Sequence, residues 1–331
     1  MNYLVTGSCG CIGSWIVKKL LEAGESVVAF DLHKNTHRMA QIMTPDQLEG
    51  LEFVEGDVTD LPTLESLLGE RGISQIIHLA ALQVPACKAN PDLGRKINIG
   101  GTRNVFEAAS RFRDQVKTVV YASSAAVYGP KEAYTDLYGD DPILPNDAPQ
   151  LPGTVYGETK KQNEAEAAEF SQKDGIPRLT IRPWTVYGPG RDFGLTSGPT
   201  KAMKAATVGR DYNIGFGYLT DLQFVSDIGD TFISLSRQDS FEGAKAYNIA
   251  GEWIQVSEII RLIENLSPDS AGKISHADVE LAIVVKLDDS ELLQEIPGVI
   301  KTPIRDGIAQ TIDIFQRLNQ EDRLDLSDLD D

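Results

Sequence analysis

The sequence predicts an α/β protein built on a doubly wound parallel sheet, and three observations carry that expectation. Short β-rich runs alternate with helical periodicity through the first half of the chain, the pattern of repeated strand–helix–strand units. A glycine-rich turn, Gly7-Ser8-Cys9-Gly10-Cys11-Ile12-Gly13, directly follows the first apolar run and opens a helical one. Further on, Val119-Val120-Tyr121-Ala122 reads as a buried strand that empties into Ser123-Ser124, so hydroxyls stand at the carboxyl end of a strand, where open α/β sheets bind ligands.

Taken in order, residues 3–6 form the first strand, 14–23 a helix, and 26–30, 52–55 and 75–79 three more strands. One helix is expected over 92–112, a strand over 118–122, a helix over 155–173 and a strand over 178–182. After Pro183 the composition changes. Gly188, Pro189, Gly190, Gly194, Gly198 and Pro199 crowd a loop too long for a mere connection, followed by helical patterns at 200–208, 256–265 and 303–318 with a mixed segment at 273–285. The fold class is therefore a Rossmann-type doubly wound sheet with a smaller C-terminal α/β substrate domain. The expected division is 1–183, with 221–250 returning to it, for the dinucleotide-binding domain, and 184–220 with 251–318 for the substrate domain. Residues 319–331 read as an acidic flexible tail.

A chain of 331 residues with 41% hydrophobic and 24% charged residues can bury a substantial core. Its 31 Lys and Arg against 49 Asp and Glu leave a net charge of −18, which repels nucleic acid and anionic lipid. Apolar runs are strand-sized and no signal-peptide pattern opens the chain, so a cytoplasmic protein without nucleic-acid or membrane partners is expected. Cys9, Cys11 and Cys87 lack the spacing of a disulfide framework or a metal site, and His33, His37, His78 and His276 are scattered. No metal is expected.

The glycine turn reads as a dinucleotide site: Gly7 permits the tight turn, Gly10 lets backbone N–H groups of the Cys11-Ile12 stretch approach a pyrophosphate, and Gly13 lets helix and strand pack closely. The second strand ends in Asp31, whose carboxylate can accept both adenosine ribose hydroxyls and repel a 2′-phosphate. That favours NAD over NADP, although His33, Lys34 and Arg38 follow and oppose the repulsion. Asp57, beyond the third strand, is placed to bond the adenine amine; its plainer role is a loop or helix-capping carboxylate.

Tyr156 and Lys160 stand at i and i+4, on one face of a helix, so the ammonium lies beside the phenol. With Ser124 they form a proton-transfer set: Ser124 bonds the reacting oxygen, Tyr156 exchanges its proton, and Lys160 lowers the phenol pKa and bonds the nicotinamide ribose. Moving a phenol from ~10 to ~7 takes about 4 kcal/mol. An exposed ion pair supplies roughly 0 to 1 kcal/mol, so the site must be partly desolvated.

This combination resembles the extended short-chain dehydrogenase/reductase family, the NAD-dependent epimerase/dehydratase group typified by UDP-galactose 4-epimerase. The resemblance spans nearly the whole chain and is carried by Gly7 to Gly13, Asp31, Asp57-Val58, His78-Leu79-Ala80-Ala81, Asn98, Ser124 to Gly129, Tyr156 with Lys160, and Arg182-Pro183 leading to Val186-Tyr187-Gly188-Pro189-Gly190. It implies that Leu79, Ala80, Ala81, Val58 and Asn98 line the cofactor, that Pro183 lies near the nicotinamide, and that the helices at 92–112 and 155–173 pair into a four-helix bundle between two subunits of a homodimer.

The departures bear on substrate. Family sugar-nucleotide dehydratases carry an Asp-Glu pair after the active-site hydroxyl, whereas this chain has Ala125-Ala126, so dehydration is disfavoured. Thr185 replaces a family Asn and Thr220 a family Arg that together hold a nucleotide diphosphate, which weakens the case for a nucleotide sugar. The expected reaction is therefore Tyr-assisted hydride transfer at a secondary alcohol of a sugar or sugar acid, met by Gln83, Ser124, Thr185, Arg191 and Lys201. Alternatives are a UDP-hexose 4-epimerase and a non-catalytic NAD-binding regulator; the presence of both Tyr156 and Lys160 argues against the last.

Overall fold

The computed structural model describes residues 1–330; Asp331, the last residue of the acidic tail, lies outside the described residues. Twelve strands are present among them: β1 (Asn2–Thr6), β2 (Ser26–Asp31), β3 (Glu52–Glu55), β4 (Gln75–His78), β5 (Thr118–Ala122), β6 (Arg178–Arg182), β7 (Thr185–Tyr187), β8 (Tyr212–Ile214), β9 (Leu219–Phe224), β10 (Ala244–Asn248), β11 (Glu252–Gln255) and β12 (Ile274–His276). Seven of them form a parallel sheet in the order β10-β6-β5-β4-β1-β2-β3. The order reverses between β1 and β4, and the crevice that opens there at the carboxyl ends is where such sheets bind ligands.

Side-chain alternation sends each strand's residues to two cores. Leu4, Val28, Ile76 and Val119 pack under the helices Leu61–Arg71, Thr102–Arg111 and Val155–Asp174. Tyr3, Val5, Val27, Ala29, Ile77 and Val120 pack on the other face with the helices Cys11–Glu22 and Val225–Ser236. A sheet covered on both faces explains the apolar runs at the centres of β1, β2, β4 and β5.

The C-terminal part is smaller. Strands β7 and β9 pair in parallel and β11 joins β9 antiparallel, while β8 and β12 form a separate parallel pair. Around them lie the helices Gly198–Thr207, Val256–Leu266 and Ile304–Gln320. The segment 225–248 crosses back to the large sheet, contributing one helix and the edge strand β10.

Two expectations need adjustment. The helix anticipated over 92–112 runs unbroken from Pro91 to Arg111, but it carries a π-turn at Lys96–Gly101 between the α-helical stretches Pro91–Arg95 and Thr102–Arg111. Periodicity does not register the extra residue, which side-chain bonds from Asn98 hold in place. The tail was expected to be flexible over residues 319–331, yet Arg323 donates to the carbonyl of Ala40 at 2.6 Å, and Asp328 pairs with the buried Lys204 at 2.7 Å.

Candidate active site

The glycine turn joins β1 to the helix Cys11–Glu22, with Gly7 at φ +68°. A Cβ on Gly7 would stand 2.6 Å from the amide nitrogen of Ala80, so the turn can lie against the Leu79-Ala80-Ala81 stretch after β4 only without a side chain. At Gly10 the sole close neighbour of such a Cβ is the carbonyl of Gly7, at 3.1 Å, and the residue lines the cavity. A cradle bare of side chains at a helix N-terminus fits a pyrophosphate. Asp31, at the end of β2, accepts from the Cys9 amide at 2.8 Å and from the Leu32 amide at 2.8 Å, which fixes its carboxylate on the wall of the same cavity.

That cavity measures about 930 Å³ and runs from Asp31, Asp57 and Val58 past Gly7, Gly10, Cys11, Ile12 and Gly13 to Leu79, Ala80, Ala81, Ser124, Tyr156, Lys160 and Pro183. Its far end is closed by Trp184, Arg191, Phe193, Leu195 and Ile283, an apolar mouth around one guanidinium. Burial pushes both thiols of the turn up, Cys11 to about 12, so they stay protonated and unreactive.

The helix Val155–Asp174 presents the candidate catalytic pair. Thr154 caps it, accepting from the Gly157 amide at 3.0 Å. Gly157 itself sits against the Ser124–Val127 turn so closely that a Cβ would meet the Ala126 carbonyl at 2.1 Å. Ser124 Oγ accepts from the Ala126 amide at 3.1 Å. Lys160 Nζ donates to the carbonyl of Ala122, at the end of β5, at 2.7 Å, and lies 5.5 Å from the centre of the Tyr156 ring. Farther along the helix, Glu164 accepts from Ser123 Oγ at 2.5 Å and from Arg182 at 2.7 and 2.9 Å, bracing it against β5 and β6.

Burial sets the electrostatics. Lys160 is lowered to about 8 by desolvation, partly offset by neighbouring Cys87 and the Glu164 carboxylate, so it remains mainly an ammonium at neutral pH. Tyr156 is raised by burial, against which a Ser124 hydrogen bond and the Arg191 charge pull downward. The site is desolvated as the sequence argument requires. The cation that draws the phenol down in the protein alone is Arg191, whereas the sequence pointed to Lys160.

Beneath the site lies a buried polar chain absent from the sequence reading. Thr102 Oγ1 donates to the Asn98 carbonyl at 2.7 Å, so it must accept from His78 Nε2 at 2.9 Å; the imidazole therefore carries its proton on Nε2, and Nδ1 accepts from Thr6 Oγ1 at 2.6 Å. Burial and the Lys160 charge push His78 down to about 3, keeping it neutral. Asn98 does not line the cavity. Its amide grips the Leu82 backbone on both sides, accepting at 2.8 Å and donating at 3.0 Å, and also donates to Thr159 at 3.2 Å.

Two residues expected at the substrate lie elsewhere. Thr185, on β7, and Thr220, on β9, are fully buried and bond each other, Oγ1 to Oγ1, at 3.1 Å; pairing of their strands turns both hydroxyls inward. Lys201 is buried on the helix Gly198–Thr207 and is not part of the cavity wall. Gln83 and Arg191 do line it, 3.5 Å apart. Arg191 also bonds Thr196 at 3.0 Å, but no carboxylate lies within ion-pair distance among the described residues, and its buried Nε has no partner.

A contact that only the fold reveals joins the two ends of the cavity. Asp192 accepts from Arg38 Nη2 at 2.7 Å and Nε at 3.0 Å, and meets His37 Nε2 at 2.9 Å. Burial would raise Asp192, but His37 and Arg38 overcome it and hold the carboxyl well below its ordinary range. Trp15 Nε1, donating to the Pro189 carbonyl at 3.0 Å, pins the same loop.

Residues 3–250 match the family described as NAD dependent epimerase/dehydratase. A UDP-glucose 4-epimerase of Mycolicibacterium smegmatis is 28% identical over 97% of this chain and 100% of its own. Among solved structures, MoeE5 in complex with UDP-glucuronic acid and NAD is 26% identical with a TM-score of 0.76, covering 96% of this chain and 99% of that one. The UDP-glucose 4-epimerase of Thermotoga maritima shares the fold with a TM-score of 0.82 at 21% identity, covering 96% and 100%.

Proposed function

The chain belongs to the NAD-dependent epimerase/dehydratase family of extended short-chain dehydrogenases/reductases, enzymes whose cofactor is NAD, and from that premise we propose that it oxidises a secondary alcohol of a small sugar acid. Bound NAD supplies the hydride acceptor. Tyr156, whose phenolate form the Arg191 charge favours, takes the proton of the substrate hydroxyl, Ser124 bonds the reacting oxygen, and Lys160 beside the ring bonds the nicotinamide ribose. The alanines after Ser124 leave that position without an acid for expelling water, which speaks against a dehydratase. The observation that carries the substrate reading is Arg191, a half-buried guanidinium on the cavity wall whose buried Nε lacks a partner and which has no carboxylate of its own. A planar fork of donors suits a carboxylate.

The second reading is a UDP-hexose 4-epimerase, favoured by the relatives that act on or bind UDP-sugars. Against it stand Thr185 and Thr220, which take the places of a family Asn and Arg and bond each other away from the cavity, so they offer a diphosphate neither an amide nor a guanidinium. Calorimetric titration of the NAD-loaded protein with free sugar acids, UDP, UDP-glucose and UDP-glucuronate separates the two. Binding of free acids without UDP supports the first reading; low-micromolar binding of UDP or a UDP-hexose without the acids replaces it by the second. Net NADH formation from a bound acid marks a dehydrogenase, and inversion without NADH an epimerase.

The domain division stated above is carried forward as part of this reading, as is a homodimer through the helical faces at 91–111 and 155–174. Sedimentation velocity checks the dimer. Among the described residues no helix is long and apolar enough to cross a membrane.

A further inference from the structure

Arg38 and Asp31 approach the glycine turn from opposite sides of one residue: Asp31 accepts from the Cys9 amide at 2.8 Å, and Arg38 Nη1 donates to the Cys9 carbonyl at 3.1 Å. Both line the adenosine end of the cavity. A guanidinium in that place is what a dinucleotide site uses to accept a 2′-phosphate, so Arg38 by itself would favour NADP and oppose Asp31. Its charge, however, is already paired. Nε and Nη2 are both spent on Asp192, which comes from the loop after β7, and the other face of that carboxylate is held by His37.

We propose that Asp192 is a cofactor-specificity residue: from the loop that carries Arg191 it occupies and neutralises Arg38, denying a 2′-phosphate that guanidinium. It acts through Arg38 and is thus a positioning residue, and the inference rests on Asp31 being the partner of the adenosine ribose. Discrimination against NADP then has two parts, repulsion by Asp31 and withdrawal of the cation by Asp192. Since Asp192 directly follows Arg191, the pair also fastens the substrate end of the cavity to its cofactor end.

The test is the ratio of NADP to NAD affinity, measured by calorimetry without substrate. Asp192→Asn frees the guanidinium and should raise the ratio about tenfold, the yield of one charge-assisted bond. Arg38→Met in the Asp192→Asn background should return the ratio to the wild-type value. A merely structural Asp192 would weaken both dinucleotides together and leave the ratio alone. An unchanged ratio in Asp192→Asn, or a gain that survives Arg38→Met, overturns the proposal. Should Asp192→Asn not fold, Arg38→Met alone decides: it should leave the ratio unchanged, and a fall in NADP affinity would show Arg38 already free. Asp31→Asn is the separate control. A rise there without one in Asp192→Asn defeats the Asp192 proposal and keeps the Asp31 reading; no rise in either defeats both.

Discussion

Tyr156 stands where burial and chemistry oppose each other, because the enclosure that sharpens its interactions also raises its pKa. Replacing Tyr156 by Phe keeps the packing and removes the exchangeable proton, so turnover should fall at least ~100-fold while NAD affinity, measured by calorimetry, barely moves. His78 illustrates the same opposition without catalysis. Its imidazole is neutral in the fold down to about pH 3, but in the unfolded chain it takes up a proton below its ordinary value of 6.5. The unfolded state thus binds more protons between those limits, so stability contributed by this group falls as the pH drops through the window, by up to about 1.4 kcal/mol per unit. Urea unfolding at a series of pH values should show that slope, and His78→Asn should flatten it even though the variant starts less stable.

At the level of elements, the helix Val155–Asp174 is placed by a contact that tolerates no side chain. Gly157 lies next to Tyr156 and under the Ala126 carbonyl, so the phenol and the Ser124 hydroxyl reach the same end of the cavity only because this crossing is close. Gly157→Ala should push the helix away from the turn, costing about 1 to 3 kcal/mol of stability in urea unfolding and lowering turnover more than NAD affinity. The π-turn Lys96–Gly101 does comparable work on the other side, carrying Asn98 to the Leu82 backbone and so shaping the stretch after β4 from within.

Across the whole molecule, the last residues close back on the body of the chain. Lys204, on the helix Gly198–Thr207, is buried, and its carboxylate partner Asp328 lies near the chain end. Asp328→Ala would strand that ammonium, and breaking a buried pair costs about 3 to 5 kcal/mol, so a clear drop in thermal midpoint is expected. An unchanged midpoint would return the tail to the flexible state anticipated from its composition. The loop after β7 is a second long-range closure, tied to the first domain by Trp15, Gln41 and Arg38.

What could be read along the chain was local. The strands of the large sheet, the glycine turn and the Tyr156–Lys160 spacing each lie within a window of a few residues, where side-chain period and backbone freedom act directly. Tertiary structure decided what those windows cannot contain. Arg38 looked like a free cation until a carboxylate 154 positions away was found holding it. Thr185 looked like a substrate contact until strand pairing turned it toward Thr220, and the tail looked loose until Lys204 met Asp328. The helix at 91–111 falls between the two cases: its helical run is legible along the chain, while the π-turn within it carries Asn98, whose partners are Leu82 and Thr159. Local propensity is set by neighbours in sequence, but a charge or hydroxyl has its role set by whatever partner the folded chain brings to it.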